Sequence, residues 1–146
     1  TYEEAIERYK LSLACAVVKN AKASEKAYIC LKSAWLLRGY QEHLQSKGEL
    51  TEEKKEALYA EEMEYLKNAY EGFVAARGSE NTPIAGMDEW TVDYLLAALA
   101  YEINDYESSL KMISKIITSN AANSRMKDKA RELRDMIAEK AKNGAK

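Results

Sequence analysis

Apolar residues recur along this chain at intervals of three and four, the spacing of one helix face, and the pattern breaks where capping residues stand. Six helices are predicted. The first, about Tyr2 to Lys19, carries Ala5, Ile6, Tyr9, Leu13, Ala16 and Val17 on one stripe and is apolar nearly all round from Leu11 onward. Ser24 is predicted to cap a second helix ending near Lys47, with Ala27, Tyr28, Leu31, Ala34 and Trp35 as its stripe and Ile29, Cys30, Leu36 and Leu37 widening it. A helix apolar on most faces is expected to be buried on most faces. Gly48 ends the second helix, and Thr51 with Glu52 and Glu53 opens a third reaching about Arg77, with Tyr59, Met63, Leu66, Tyr70, Phe73 and Val74 inward. The break from Gly78 to Met87 holds the sole proline, Pro83. Beyond it, Asp88 is predicted to cap a fourth helix (Val92, Leu95, Leu96, Leu99 and Ile103 inward) and Asp105 a fifth (Tyr106, Ser109, Leu110, Ile113, Ile116 and Ile117). Asn123 or Ser124 caps a sixth, with Met126, Ala130, Leu133 and Ile137 on its apolar face.

A repeat runs through this pattern. The same spacing of three, four and three joins Tyr2, Ala5, Tyr9 and Ser12, again Leu66, Ala69, Phe73 and Ala76, and again Tyr106, Ser109, Ile113 and Ile116, with a small residue second in each set. These spacings match the second helix of a tetratricopeptide (TPR) hairpin, in which small residues let helices approach and large ones fill the gap. Tyr28, Leu31, Trp35 and Gly39 fit the frame of a first helix, as does Leu96 with Ala97 before the turn at Asn104 and Asp105. The repeat origins lie 64 and 40 residues apart, so a hairpin lengthened around 40 to 60 is expected to project from the stack. The fold class expected is all-α: six antiparallel helices in a TPR-like α-α superhelix, forming a single domain over residues 1–146.

Three stretches carry a family resemblance: KASEKAYICLKSAW from Lys22 to Trp35, LKNAYEGF from Leu66 to Phe73, and the loop NTPIAGMDE from Asn81 to Glu89. Together with SNAANSRMKDKA from Ser119 to Ala130, they resemble the C-terminal helical region of a bacterial family of unknown function. The resemblance implies a TPR-like fold, a cytoplasmic location, and a longer protein whose N-terminal part carries a cysteine-rich, zinc-binding segment. It implies no activity.

Composition narrows the function classes. Gly and Pro number seven among 146 residues, well below the roughly 12% of ordinary usage, which disfavours turn-rich β architectures and disorder. Twenty-two basic and 24 acidic side chains leave a net charge of −2, so no global charge favours nucleic acid or a membrane surface. Locally the balance varies: residues 49–64 hold seven Glu against two Lys, read as a solvated face, and residues 125–146 hold eight basic against four acidic residues. On the last helix Asp128, Glu132, Asp135 and Glu139 run beside Lys127, Arg131 and Arg134, which spoils a phosphate-tracking surface. Apolar runs such as Leu13 to Val18 fall short of the ~20 residues of a bilayer span.

Reactive residues are few. Cys30 and the single histidine, His43, stand thirteen apart on one predicted helix, roughly 20 Å at ~1.5 Å per residue, too far for a nucleophile and its base. Two cysteines and one histidine do not make a four-ligand zinc site, and glycines never cluster into a phosphate loop. Both cysteines are expected as reduced thiols. No catalytic residue, cofactor or metal is assigned, and the chain is expected not to be an enzyme. The expected role is a TPR-like module holding a protein or peptide on Tyr94, Ala98, Tyr101 and Glu102 of the fourth helix, bordered by Asn81, Pro83 and Met87. The alternatives are a helical homodimerisation unit, and a scaffold for an enzyme or metal-binding region in the N-terminal segment.

Overall fold

The computed structural model describes residues 1–79 and 87–144. It contains six helices: α1 (Tyr2–Val18), α2 (Ala23–Ser46), α3 (Glu52–Ser79), α4 (Glu89–Glu102), α5 (Tyr106–Thr118) and α6 (Ser124–Gly144), with no strand among the described residues. Where the sequence reading expects one domain, the chain divides into two compact units, Thr1–Ser79 and Glu80–Lys146. Their boundary falls at the Gly- and Pro-containing break.

The caps follow from side-chain chemistry. Asp88 Oδ1 accepts from the Thr91 amide at 2.8 Å, and Asp105 Oδ1 from Ser108 at 3.2 Å. Thr51 Oγ1 accepts from Lys54 at 3.1 Å, and Asn123 Oδ1 from Met126 at 2.8 Å. Each satisfies one amide that the first helical turn leaves unpaired. The second helix departs from expectation: it begins at Ala23, with Lys22 as a cap that lends no side-chain bond, so Ser24 lies inside the first turn.

Three helices end alike. A residue with positive φ follows α1 at Asn20 (52°), α2 at Gly48 (70°) and α4 at Asn104 (66°). The next amide in each case reaches back five residues, Ala21 to the Ala16 carbonyl (2.9 Å), Glu49 to Leu44 (2.9 Å) and Asp105 to Ala100 (2.8 Å). This is the Schellman closure, which occupies carbonyls that the helix end would otherwise strand.

In unit 1, α2 packs against both α1 and α3. Its core is Ala27, Leu31, Ala34, Leu37 and Leu44 from α2 with Leu66, Ala69, Phe73 and Ala76 from α3; Leu44 lies outside the predicted stripe, and Tyr28 and Trp35, predicted within it, are exposed. Tyr59 and Val74, predicted inward, are about half exposed. The hairpin tip lacks apolar cover, and every residue from 45 to 57 except Leu50 is exposed. The larger departure is α1, which buries only Ala16 and leaves Leu11, Val17 and Val18 at 66, 60 and 86% exposure. Its all-round apolar second half packs on α2, with Leu13 and Val17 bordering a hollow that reaches Glu71 of α3, so one face is covered and the other is not.

The α2–α3 crossing is close because its residues are small. A Cβ added to Gly72 would stand 2.8 Å from the Ala27 Cβ and 3.3 Å from the Ala23 carbonyl oxygen. Gly72→Leu is therefore expected to cost about 1–3 kcal/mol by overpacking. Gly78→Ala, near the end of the same helix and with nothing within 4 Å, is expected to gain up to about 1 kcal/mol in helix propensity. Thermal denaturation of the two variants checks both signs.

In unit 2, α5 packs on α4 and α6, and α4 also meets α6. The buried cluster is Ala97, Ile113, Ile116, Ala122, Ala130, Leu133 and Ile137. Ser109, fully buried, donates its hydroxyl to the Ala97 carbonyl at 2.7 Å, pinning α5 to α4 where both present small residues.

Candidate functional site

Tyr94, Ala98 and Tyr101 project from α4 at steps of four and three residues and are half-buried against the α5–α6 cluster. They are set deeper than an open groove would set them, because α6 lies across this side of α4. Lys129 of α6 places its ammonium 5.7 Å from the centre of the Tyr94 ring, a cation–π contact. Burial pushes the Tyr94 hydroxyl above its ordinary range, with the Glu132 carboxylate adding to the shift. The Tyr101 ring tilts against Tyr106 at 5.8 Å between centroids. Glu102 closes α4 half-exposed, and Met87, also half-buried, directly precedes the Asp88 cap. The Thr91 backbone amide holds the Asp88 carboxyl below its ordinary range. Asn81 and Pro83 lie outside the described residues.

Two buried carboxylates escape the sequence pattern. Asp93 is fully buried on α4, one residue from Tyr94, and Lys115 of α5 reaches its Oδ2 at 3.5 Å. The same ammonium is 3.8 Å from Glu89 and 5.9 Å from the centre of the Trp90 ring, so Lys115 ties the first turns of α4 to α5. In unit 1, Glu62 is 5% exposed within the stretch read as a solvated acidic face. Arg38 donates to its Oε2 through Nε (3.0 Å) and Nη2 (2.8 Å), and Gln41 donates to Oε1 (2.8 Å). Both oxygens are engaged, which makes Glu62 a packed strut between α2 and α3. The available signal was spacing: Arg38 and Gln41 stand three apart and face one side of α2.

Unit 1 also has two surface hollows. One, about 400 Å³, lies among Leu13, Val17, Ala23, Lys26, Cys30 and Glu71. The other, about 390 Å³, is bordered by Tyr2, Tyr40 and His43, where Tyr2 stacks on Tyr40 at 5.5 Å and meets His43 at 5.1 Å between ring centroids. The Tyr40 hydroxyl donates to Glu3 at 3.1 Å.

Cys30 and His43 sit on the same helix, thirteen residues apart, so the separation expected from sequence holds. Among the described residues, no group of three or more His, Cys, Asp or Glu is placed to hold a metal ion. Cys15 is exposed and Cys30 buried, both reduced. Burial pushes the Cys30 thiol up, so the fold favours its protonated form. That contribution to stability is complete below the ordinary thiol range and is lost as pH rises through the raised value. At neutral pH Cys15 is expected to react with an aromatic disulfide at once and Cys30 only after denaturant is added, a difference read from the time course of released thiolate.

The described fold is that of a wholly helical protein built from packed antiparallel hairpins, with its reactive side chains dispersed. The chain belongs to the family described as "Uncharacterized protein conserved in bacteria (DUF2225)", whose model matches residues 1–137. No curated protein and no solved structure matches it. Among the described residues, no helix is long and apolar enough to cross a membrane.

Proposed function

We propose that this chain is a non-enzymatic, TPR-like interaction module acting in the cytoplasm, which offers helix faces to a protein or peptide segment. The observation that carries the reading is the apolar area left at the surface: Leu11, Val17 and Val18 on α1, and Trp35 at 53% and Tyr28 at 41% exposure on α2. Tyr28 and Trp35, seven residues apart on α2, share one helix face, and contiguous exposed apolar area marks association sites. The small-residue crossings Ala27–Gly72 and Ala97–Ser109 support the repeat reading, since the same device joins a helix pair in each unit. On α4, the half-exposed edges of Tyr94 and Tyr101 with Glu102 offer aromatic area beside a carboxylate. A cysteine-rich zinc segment joined ahead of Thr1 would make the helical part its partner-selecting arm.

A photo-crosslinking residue placed at Trp35, and separately at Tyr101, tests this reading in bacterial lysate. Each is expected to capture a discrete protein partner, competed away by unlabelled chain. Absence of any competed product at both positions overturns it. A second reading, dimerisation, is favoured by the distribution of charge over unit 1.

A further inference from the structure

We infer that α1 is a self-association helix, through which two copies of this chain pair antiparallel about a two-fold axis; the inference rests on the interaction-module reading and names the partner as a second copy. The face that α1 turns to α2 carries Tyr2, Ile6, Tyr9, Leu13 and Ala16. On a helix of ~3.6 residues per turn the opposite face carries Glu4, Glu7, Leu11, Cys15 and Val18. All five are exposed, and they repeat at steps of three or four residues as the seam of a two-helix coil does. Lys19 and Lys22 follow at the helix end, also exposed. The seam thus runs from acidic through apolar to basic.

That order is self-complementary only when reversed. In an antiparallel pair whose facing positions sum to 26, Leu11 meets the partner's Cys15 and Glu7 meets the partner's Lys19, the α1 C-cap, while Glu4 approaches the turn that leads to the partner's Lys22 at the start of α2. Each contact occurs twice, as an isologous interface requires, and the pairing closes at two copies. A parallel pair would set Glu4 and Glu7 against their own kind.

The rest of unit 1 repeats the division on a larger scale. Its helices are antiparallel: Tyr2 lies beside Tyr40 and His43, Glu62 beside Arg38, and Gly72 beside Ala27. The end holding residues 10–33 and 66–79 carries seven basic and two acidic side chains, a net +5. The end holding residues 1–9 and 34–65 carries five basic and eleven acidic, a net −6. A two-fold that reverses α1 brings each end toward its opposite in the second copy. Competing contacts are weak: among the described residues Glu7 pairs with Lys10 at 3.7 Å, a surface lysine that also lies 3.6 Å from Glu61 of α3. An acidic peptide or an anionic surface would engage the basic end alone, and the second copy engages both.

One helix per copy buries less than the about 1,200–2,000 Å² of a standard stable interface, so the dimer should form in the micromolar range and weaken with salt. Sedimentation equilibrium of the 146-residue chain over roughly 1–300 µM (about −8 to −5 kcal/mol) spans that range. The expected result is a doubled mass at the upper concentrations in low salt. Glu7→Lys and Lys19→Glu are each expected to raise the dissociation constant at least tenfold, and the double variant to restore it. Leu11→Asp is expected to give a monomer with an unchanged circular dichroism spectrum. A chain monomeric throughout the range overturns the inference, as does a dimer indifferent to both charge swaps or one that the double swap fails to rescue. A monomer that still crosslinks a foreign partner at Trp35 or Tyr101 overturns the self-pairing and leaves the interaction module standing.

Discussion

Phe73→Ala is expected to remove about 3–5 kcal/mol from unit 1, the largest loss available to a single truncation there. Phe73 is the largest of the side chains with essentially no exposure, and it stands one residue from Gly72, where α3 is pressed against α2. Neighbours fixed by that close crossing cannot collapse into the space a phenyl ring leaves. The cost therefore includes both the lost transfer of apolar surface and the cavity. Hydrogen exchange at amides of α2 and α3 measures it, as protection falling by two or more orders of magnitude with helix content unchanged in the absence of denaturant. A loss under about 1 kcal/mol would mean that the crossing relaxes, and that Gly72 does not constrain it despite the 2.8 Å at which an added Cβ would meet Ala27.

Leu96→Ala is expected to cost unit 2 about 2–5 kcal/mol, and the same truncation at Tyr94 or Tyr101 about 1–2 kcal/mol. Leu96 is 2% exposed, whereas both tyrosines keep an edge in solvent while packing on the α5–α6 cluster. The tyrosines thus carry stability as well as any partner contact, so a binding assay on their alanine variants needs a melting curve beside it. Tyr→Phe separates the two roles: at Tyr94 it keeps the ring under Lys129 and removes only the hydroxyl whose acidity burial and Glu132 reduce. Equal destabilisation by all three alanine variants would place the tyrosines wholly in the core.

The helices were legible because their signals are local. Asp88, Asp105 and Thr51 were read as caps and accept the amides three residues on, and Gly48 ended α2 as its left-handed backbone requires. The α3 and α5 stripes were right in part: Leu66, Phe73, Ser109, Ile113 and Ile116 are buried, whereas Tyr59, Val74 and Leu110, read as inward, are exposed. What failed was non-local. The second half of α1 has the apolar residues of a buried helix, but which of its faces meets a neighbour is decided by α2, not by its own sequence. Glu62 and Asp93 look like any surface carboxylate until Arg38, Gln41 and Lys115 arrive from other helices. Residues on α4 assigned to a groove proved half-covered by α6 for the same reason. The Asn81 and Pro83 part of that assignment lies outside the described residues.

The Schellman closure at Gly48 gives the chain one position that favours the opposite handedness. At Gly48 the backbone holds φ at +70°, a region that an L side chain resists but that is the mirror image of the ordinary helical region and therefore native to a D residue. The site is also exposed at the surface. A chain assembled by ligation with D-alanine in place of Gly48 should thus fold unchanged and gain about 0.4–1 kcal/mol, because the unfolded chain loses freedom that the fold never used. A D-configured centre introduced at this one position would strengthen the α2–α3 hairpin, and L-alanine at the same place would weaken it.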